Sequence, residues 1–299
     1  MRILVSGASG FIGSALVPNL RAHNHEVIPL HRRTIGSVAP PWWDPARGTI
    51  DLGPNARFDT IIHLAGENIV GRWTQQKKQR LYKSRVDATK LLVDAVRTLP
   101  AKPASFICAS AIGFYGIRGA EWVDESSSSG TGFLADICRA WEQMAWPLKD
   151  VGIRVVFLRF GVVLGTDGGA LKKMLPVFRF GLGGRLGGGS QYWSWIAVDD
   201  VVTAITFVLN DSTIAGPVNF TAPQPATNAE FTSTLARVLR RPAVFPVPKI
   251  ALRLAFGREM ADETFLASVR VRPKVLQQHG YQFGFPDLEP ALRHLLANR

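Results

Sequence analysis

Three glycines between the first apolar run and the first helical stretch constrain the fold of this chain more than any other feature. Residues 2–6 are almost continuously apolar, and they are followed by GASGFIG, in which Gly7, Gly10 and Gly13 are three residues apart, then by a helical pattern and a second strand at 26–30. This order predicts a β-α-β unit. Glycines allow close approach to a pyrophosphate, and the start of a helix offers free N–H groups. We therefore predict dinucleotide binding here; an ordinary glycine turn is the alternative.

The rest of the first half continues the alternation of strands and helices. Residues 60–65, 105–110 and 154–160 are apolar runs typical of strands that are covered on both faces by helices. Helical patterns at 74–98 and 132–149 lie between them. Because crossover connections are right-handed, this pattern predicts the α/β class with a doubly wound parallel sheet.

The second half differs in composition, with the glycine-rich segment 181–190 and frequent prolines after residue 216. A capping box, Thr227 with Glu230 three residues later, predicts the start of a helix. We predict a nucleotide-binding domain over residues 1–165 and a smaller C-terminal α+β substrate lobe over 166–299, with the segment 198–212 packing back onto the first domain. A cleft between them is the default ligand site.

The end of the second predicted strand indicates which dinucleotide is bound. Enzymes that use NAD carry an acidic residue there for the adenosine ribose, whereas this chain has Arg32 and Arg33, and no carboxylate lies between Glu26 and Asp44. Two guanidinium groups suit a 2′-phosphate, which they bind through bidentate, charge-assisted hydrogen bonds. We predict NADP(H) as the cofactor; a basic turn in solvent is the alternative.

The formal net charge of +12 also bears on partners, because nucleic acid, an anionic membrane or an anionic small ligand would each suit it. Residues 72–102 hold nine basic and two acidic residues, so this segment supplies +7 of the total. We interpret these basic residues as two groups around the anionic dinucleotide, together with a helix face that is exposed to solvent. We therefore expect no nucleic-acid partner.

No membrane partner is expected either, since the longest apolar run, at 201–209, is about half of the ~18–20 residues that a span requires. Cys108 and Cys138 are too few for a disulfide framework, which favours a reducing compartment and a cytoplasmic protein. His23 and His25 lack companion ligands, so no metal site is predicted.

Motifs along the chain resemble those of one superfamily. HLAGENI at 63–69, ASAIGFYG at 109–116 and LRFGVVLG at 158–165, together with the glycine turn, resemble the short-chain dehydrogenase/reductases, and most closely their atypical "epimerase family protein" subgroup of extended, NAD-dependent epimerase/dehydratase-like proteins. The resemblance runs nearly end to end. It implies a Rossmann-type domain with a small substrate lobe, NADP(H), and a homodimer.

The resemblance also implies positions for the cofactor contacts. Gly7, Gly10, Phe11, Ile12 and Gly13 match the pyrophosphate loop, and Arg32 and Arg33 match the residues that bind the adenosine phosphate. Leu64, Ala65 and Gly66, at the end of the strand predicted at 60–65, match the stretch beside the adenosine and pyrophosphate. Arg85, Ser110 and Val162 match positions toward the nicotinamide.

The chain departs from the superfamily at its catalytic pair. Ordinary members use Tyr-x-x-x-Lys, and none of the four tyrosines here has a lysine four residues later. By resemblance, Leu134 occupies the tyrosine position, Cys138 the lysine position and Arg85 the place of a helix asparagine. These replacements put the standard mechanism in doubt.

Three residues remain as catalytic candidates beside Arg85. Ser110 ends a strand and matches the superfamily's active-site serine, so it is predicted to hydrogen-bond a substrate oxygen. Tyr115 is predicted as an acid or base if a cation such as Arg85 lowers its pKa; packing beside Phe114 is the alternative. Cys138 is a candidate thiolate, with a small buried filler as the alternative.

Two functions of different classes follow from these residues. The first is an NADP(H)-dependent oxidoreductase or epimerase-like enzyme that acts on an unidentified carbonyl or alcohol, with Trp193 and Trp195 as walls of an apolar slot or simply as core. The second is a catalytically silent NADP(H) sensor or partner-binding protein, in keeping with the cell-division labels of some similar proteins.

Overall fold

The computed structural model describes residues 1–33 and 39–297. The strands in this part of the chain are β1 (Arg2–Ser6), β2 (Glu26–Arg32), β3 (Trp42–Asp44), β4 (Thr49–Asp51), β5 (Thr60–His63), β6 (Ser105–Ala111), β7 (Trp122–Val123), β8 (Arg154–Phe160), β9 (Val162–Leu164), β10 (Tyr192–Trp193), β11 (Trp195–Ala197), β12 (Gly216–Phe220), β13 (Ala226–Thr227) and β14 (Arg270–Val271). The α-helices are α1 (Phe11–Ala22), α2 (Gln75–Tyr82), α3 (Ala88–Thr98), α4 (Phe133–Ala145), α5 (Gly169–Arg179), α6 (Val198–Asn210), α7 (Asn228–Leu239), α8 (Lys249–Phe256), α9 (Arg258–Met260), α10 (Lys274–Gln278) and α11 (Leu288–Ala297).

The main layer is an eight-stranded sheet, counted over the described residues, in the order β12-β8-β6-β5-β1-β2-β3-β4. Every neighbouring pair is parallel except β3 with β4. The predicted Rossmann-type parallel sheet is therefore confirmed. Strand β1 lies between β2 and β5, so the chain reverses direction across the sheet at this point, and ligands of such sheets bind where the strands beside the reversal end.

Both faces of the sheet are covered, as the apolar runs predicted. Ile3 and Val5 pack into a core shared with α1 and α6, whereas Leu4 between them packs into a second core shared with α3 and α4. Successive side chains of a strand point to opposite faces, so a strand that is buried on both must be apolar throughout.

Two predicted helices are interrupted in the structure. The pattern at 74–98 becomes α2, a π-helical turn at Lys83–Asp87 and α3, and the pattern at 132–149 becomes α4 followed by a 3₁₀ turn at Trp146–Val151. Apolar periodicity does not distinguish these variants from an α-helix, because each shifts the register by only one residue. The π turn contains Arg85, and such turns are frequent at functional sites.

Elements beyond residue 165 join the first layer. Helix α6 packs against α1, with Val201, Ile205 and Val208 in one core with Leu16 and Leu20. Strand β12 forms the edge of the main sheet beside β8. A division at residue 165 stays a prediction, and it does not coincide with the edge of the sheet.

The C-terminal lobe has its own core around α5, α7 and α11. Trp193 and Trp195 are buried in it, so their surroundings are those of core residues rather than of a slot wall. None of the helices in the described part of the chain is both long and apolar enough to cross a bilayer.

The capping box at the start of α7 is present, since the Thr227 side chain accepts a hydrogen bond from the Glu230 backbone N–H and the Glu230 carboxylate accepts one from the Thr227 N–H. Replacing Thr227 by alanine removes the hydroxyl that accepts from the Glu230 N–H, so this donor loses its protein partner. We expect Thr227→Ala to lower the free energy of unfolding by about 1 kcal/mol in a urea titration. Ser212→Ala, at an exposed position, is the matched control. Equal effects in the two variants would contradict the role of the cap.

Candidate active site

The glycine turn after β1 is shaped by contacts that exclude any larger residue. Gly7 has a φ of +73°, and a Cβ there would lie 2.8 Å from the Leu64 carbonyl carbon. A Cβ on Gly13 would lie 2.2 Å from the Gly7 carbonyl oxygen. The turn therefore brings α1 and the end of β5 together as closely as backbone allows, which is what a pyrophosphate cradle requires.

The start of α1 is open to an anion. Gly10 is the N-cap and supplies no side-chain hydrogen bond, and the first turn has no acidic residue. The first N–H groups of a helix have no acceptor within it, so those of Phe11, Ile12 and Gly13 are available to a ligand. These residues fit the pyrophosphate of the predicted cofactor.

The Phe11 side chain has a second role, because its ring lies against a glycine loop of the C-terminal lobe. A Cβ on Gly165, Gly168 or Gly169 would come within 2.4–2.9 Å of atoms of this ring. The three glycines thus make room for one phenyl group at the mouth of the turn.

Arg32 and Arg33 lie at the carboxyl end of β2, and both are exposed. The Arg33 guanidinium stacks over the ring of Trp42 at 4.3 Å, and neither arginine pairs with a carboxylate among the described residues. Two unneutralised cations beside the turn suit a phosphate group. Residues 34–38, which follow them, lie outside the described part.

Arg85 lies beside the loop that follows β5. Its guanidinium donates to the Glu67 carbonyl at 2.9 Å, and its carbon atom Cζ is 3.5 Å from where a Cβ on Gly66 would stand. Leu64 hydrogen-bonds to Ser6 through its N–H, which fixes Leu64 and Ala65 against Gly7. Burial lowers the pKa of Arg85.

Ser110 is held by a buried chain of charged and polar groups. Its hydroxyl donates to Glu142 Oε1 at 2.7 Å, and Glu142 accepts two hydrogen bonds from Arg159, at 2.9 and 2.8 Å. Arg159 in turn donates to the Tyr115 hydroxyl at 3.0 Å, which donates to Asn219 at 2.7 Å. Only 5% of Glu142 and 3% of Arg159 are exposed.

This chain links residues that are far apart in the sequence, and the prediction missed Glu142, Arg159 and Asn219. One signal was available for each charged residue. Arg159 interrupts the apolar strand RVVFLRF, and Glu142 lies next to Trp141 on the buried face of α4. A charge in such a position is seldom buried without a partner.

The environment of Tyr115 corrects the expectation that Arg85 would lower its pKa. The phenol is fully buried, and burial raises its pKa to about 12, although the contacting cation, Arg159, favours ionisation. Its ring packs edge-on against Phe114 at 5.5 Å between centroids. Because its hydroxyl is engaged by Asn219 and Arg159, the geometry favours packing over an acid or base role.

Cys138 and Val162 also have surroundings that define what they can do. Burial raises the pKa of the Cys138 thiol to about 12, so the thiol is protonated at neutral pH even though the charge of Arg85 opposes this shift. This favours the interpretation of Cys138 as a small buried filler.

The Val162 N–H donates a hydrogen bond to the Ser194 carbonyl at 2.8 Å, which connects β9 to the residue before β11.

His63, at the end of β5, forms a second buried network under the turn. Its Nδ1 is 2.5 Å from Ser6 Oγ and its Nε2 is 2.9 Å from Thr89 Oγ1, which also accepts a hydrogen bond from Trp141. Burial lowers the pKa of His63 to about 4. The ring is therefore neutral at pH 7 and connects β1, β5, α3 and α4.

Sequence comparison identifies the family. The profile of the NAD dependent epimerase/dehydratase family matches residues 3–220, which include the glycine turn, Ser110 and all of the main sheet except its first residue, Arg2. The chain belongs to this family. A second profile, described as a domain of unknown function (DUF1731), matches residues 247–295.

Members of this epimerase/dehydratase family resemble the chain over its full length. Epimerase family protein Mb2239 of Mycobacterium bovis is 43% identical over 291 residues, covering 97% of this chain and 96% of that protein. The chloroplastic SDR39U1 homolog of Arabidopsis thaliana is 35% identical, covering 99% and 87%. The crystal structure of human epimerase family protein SDR39U1 (isoform 2) with NADPH has a TM-score of 0.92 and 34% identity, covering 100% of both chains.

The buried His63 predicts how stability depends on pH. An unfolded chain protonates this ring at about pH 6.5, whereas the native protein does so only near pH 4. The unfolded state binds the extra proton in that window, so stability falls as the pH falls through it, by about 2 kcal/mol between pH 7 and 5. Urea unfolding of wild type and His63→Gln measures this; the variant lacks this contribution.

An NMR titration of the wild type gives an independent reading. We expect the His63 ring signals to remain those of a neutral imidazole at pH 5. A midpoint near 6.5 for this ring would contradict the buried network.

Proposed function

We propose that the chain is an NADP(H)-dependent oxidoreductase or epimerase-like enzyme that acts on a small carbonyl or alcohol compound. The observation that carries the proposal is the pair Arg32 and Arg33, exposed and free of carboxylate partners among the described residues, at the end of the strand beside the glycine turn. A related crystal structure, that of human SDR39U1, contains NADPH. A guanidinium pair discriminates between the two dinucleotides, because only NADP(H) carries the 2′-phosphate.

The cofactor would be bound along the carboxyl ends of β2, β1 and β5. In this arrangement Arg32 and Arg33 bind the adenosine phosphate, the turn from Gly7 to Gly13 and the first N–H groups of α1 bind the pyrophosphate, and residues 64–66 line the adenosine side. Arg85, Ser110 and Val162 then lie toward the nicotinamide. Bound NADP(H) supplies or accepts the hydride, so the chain itself has to bind the substrate oxygen and handle a proton.

The hydrogen bond between Ser110 and Glu142 indicates which form of substrate suits the resting site. An ionised carboxylate only accepts hydrogen bonds, so the Ser110 proton is directed to Glu142. Ser110 is 3% exposed, and no group in the described part of the chain donates a hydrogen bond to its Oγ, whose lone pairs would serve a substrate donor. The resting enzyme is therefore suited to an alcohol, whose O–H donates to Ser110.

Proton removal can follow the same path. As the substrate O–H proton passes to Ser110 Oγ, the Ser110 proton passes to Glu142 Oε1, and the carboxylate becomes a carboxylic acid. Arg159 keeps Glu142 oriented through its two hydrogen bonds, and Tyr115 and Asn219 hold Arg159. In this proposal Ser110 touches the substrate, Glu142 accepts the proton, and Tyr115 is a positioning residue.

Arg85 contributes a fixed positive charge at the same edge. It is partly buried and held by backbone carbonyls of Glu67 and Leu81, so its position requires no rearrangement when a ligand binds. A fixed cation stabilises negative charge that develops on a substrate oxygen. Cys138 contributes packing, since its thiol is neutral at pH 7.

A silent NADP(H)-binding protein is the second candidate, and one observation favours it. The positions of the usual catalytic pair hold Leu134 and Cys138, and neither side chain is charged at neutral pH. Such a protein would bind a partner in only one redox state of the cofactor. Equal capture of partners with NADP⁺ and with NADPH, together with hydride transfer to any substrate, would decide for the enzyme.

Two further expectations belong to the proposal. A homodimer is expected from similar proteins, with the helical segment 74–98 at its interface. A reducing compartment is supported by Cys108 and Cys138, which are both free and buried.

The cofactor assignment is tested by binding titrations with NADPH and NADH. We expect the wild type to bind NADPH more tightly, and Arg32→Ala with Arg33→Ala to weaken NADPH binding about 100-fold or more while leaving NADH binding unchanged, because each of the two lost charge-assisted contacts contributes about 1.5–3 kcal/mol. Arg21→Ala, an exposed arginine in the last turn of α1, is the matched control. A wild type that does not distinguish the dinucleotides would overturn the assignment.

The proton path is tested by hydride transfer from NADP⁺ and NADPH across a panel of alcohols and carbonyl compounds. We expect Ser110→Ala and Glu142→Gln each to lower the rate about 100-fold or more, with NADPH affinity retained, because a positioned acid or base contributes about 10²–10⁴. Ser190→Ala, at an exposed position, controls for the substitution. If Glu142→Gln keeps full activity, Ser110 has no proton partner of this kind.

A further inference from the structure

The C-terminal lobe carries a surface on which large apolar side chains are exposed. Phe180 is 81% exposed, Leu254 72%, and Val244 and Ile250 69% each. Single exposed apolar residues are ordinary, whereas a contiguous group indicates a binding surface.

Backbone contacts bring together the segments that carry these residues. The segments 181–187 and 242–249 run side by side, with hydrogen bonds from the Phe245 N–H to Gly183 and from the Val247 N–H to Arg185. Helix α8 begins where the second segment ends, and Ile250 and Leu254 are one turn apart on its exposed side, whereas Leu252 is buried.

Cations are interleaved with these side chains. Arg179 precedes Phe180, the Arg241 side chain donates to the Arg179 carbonyl, and Lys249 lies against Gly187. We call this surface the cationic apolar face; it consists of Phe180, Leu182, Val244, Phe245, Ile250 and Leu254 with Arg179, Arg185, Arg241 and Lys249.

The charge of this region is one-sided. Residues 168–198 and 231–258 together hold ten basic residues and no carboxylate, compared with a net charge of +12 for the whole chain. Acidic residues that follow this region in the sequence are paired with other cations, Asp262 with Arg253 and Arg258, Glu259 with Lys78, and Glu289 with Arg237. No carboxylate in the described part of the chain pairs with the four cations of the face.

We propose that the cationic apolar face binds the surface of an anionic membrane, with the apolar side chains entering the boundary of the acyl chains and the guanidinium and ammonium groups contacting lipid phosphates. This combination of exposed apolar and basic side chains is typical of proteins that lie on a bilayer without crossing it. The proposal revises the sequence expectation of no membrane partner, which rested on the lack of a spanning segment.

Charge favours this occupant over a second copy of the chain. A symmetric contact between two copies of this face would bring four cations against four identical ones. Nucleic acid would satisfy the cations but would leave six apolar side chains without apolar contacts. An anionic bilayer offers phosphates to the cations and acyl chains to the apolar side chains.

Sedimentation with vesicles tests the proposal on the full chain. We expect binding to phosphatidylcholine vesicles that contain phosphatidylglycerol, weakening as salt is raised, and little binding to phosphatidylcholine alone. Ile250→Ser with Leu254→Ser should weaken binding at least tenfold, whereas Ile117→Ser, at a similarly exposed position elsewhere, should not.

Two charge-reversal double variants test whether vesicle binding depends on the charge of this face or on the net charge of the chain. Arg185→Glu with Lys249→Glu should weaken vesicle binding at least tenfold, and Arg57→Glu with Lys149→Glu, which changes the net charge equally at other exposed positions, should have a much smaller effect. Urea midpoints and NADPH affinities near those of the wild type show that the variants are folded, and they keep this test independent of the proposed enzyme activity.

Three results would overturn the proposal. They are wild-type protein that does not bind the anionic vesicles at low salt, equal losses in the two charge-reversal pairs, and a dimer in solution that Ile250→Ser with Leu254→Ser dissociates while vesicle binding is absent. The last result would make the face a contact between copies.

Discussion

The buried ion pair between Arg159 and Glu142 is the interaction on which the candidate site depends. Two charges removed from water are costly unless every hydrogen-bonding group finds a partner. Here Arg159 contacts Glu142 and Tyr115, and Glu142 also accepts a hydrogen bond from the Ser110 hydroxyl. The pair therefore joins β6, β8 and α4 at the edge where ligands of such sheets bind, and removing one partner would leave the other charged and buried.

The same network reaches into the C-terminal half of the chain. The side chain of Asn219, in β12, accepts a hydrogen bond from Tyr115 and donates one to the Arg272 carbonyl, and the Asn219 backbone N–H donates to the Glu125 carboxylate. A substrate that contacted Ser110 would thus bind next to groups that also hold β12 and β14 in place. The serine of the site is therefore supported by residues from both halves of the chain.

The local parts of this structure could be predicted from the sequence, and the long-range parts could not. Strand β1 and the start of α1 depend on apolar runs and glycines within a few residues, so Arg2–Ser6 was predicted with its observed limits. The doubly wound arrangement of the sheet was predicted from the right-handedness of crossover connections. The partners of Ser110 and Tyr115 are 32 and 104 residues away, respectively, and no periodicity indicates such pairs. The exposure of the apolar side chains of α8 could not be predicted either, because a short helix has the same sequence pattern whether or not its second face is covered.

The contact between Phe11 and the glycines at 165, 168 and 169 links the cofactor turn to the other half of the chain. Phe11 is the first residue of the helix that would face the pyrophosphate, and its ring fills space that any side chain on those glycines would need. The turn and this loop must therefore vary together in evolution. A relative with a smaller residue at the Phe11 position is free to lose Gly168, whereas Gly169 is also required by its positive φ and by the Val163 carbonyl. Transfer of the turn alone into another sheet would leave an aromatic ring uncovered.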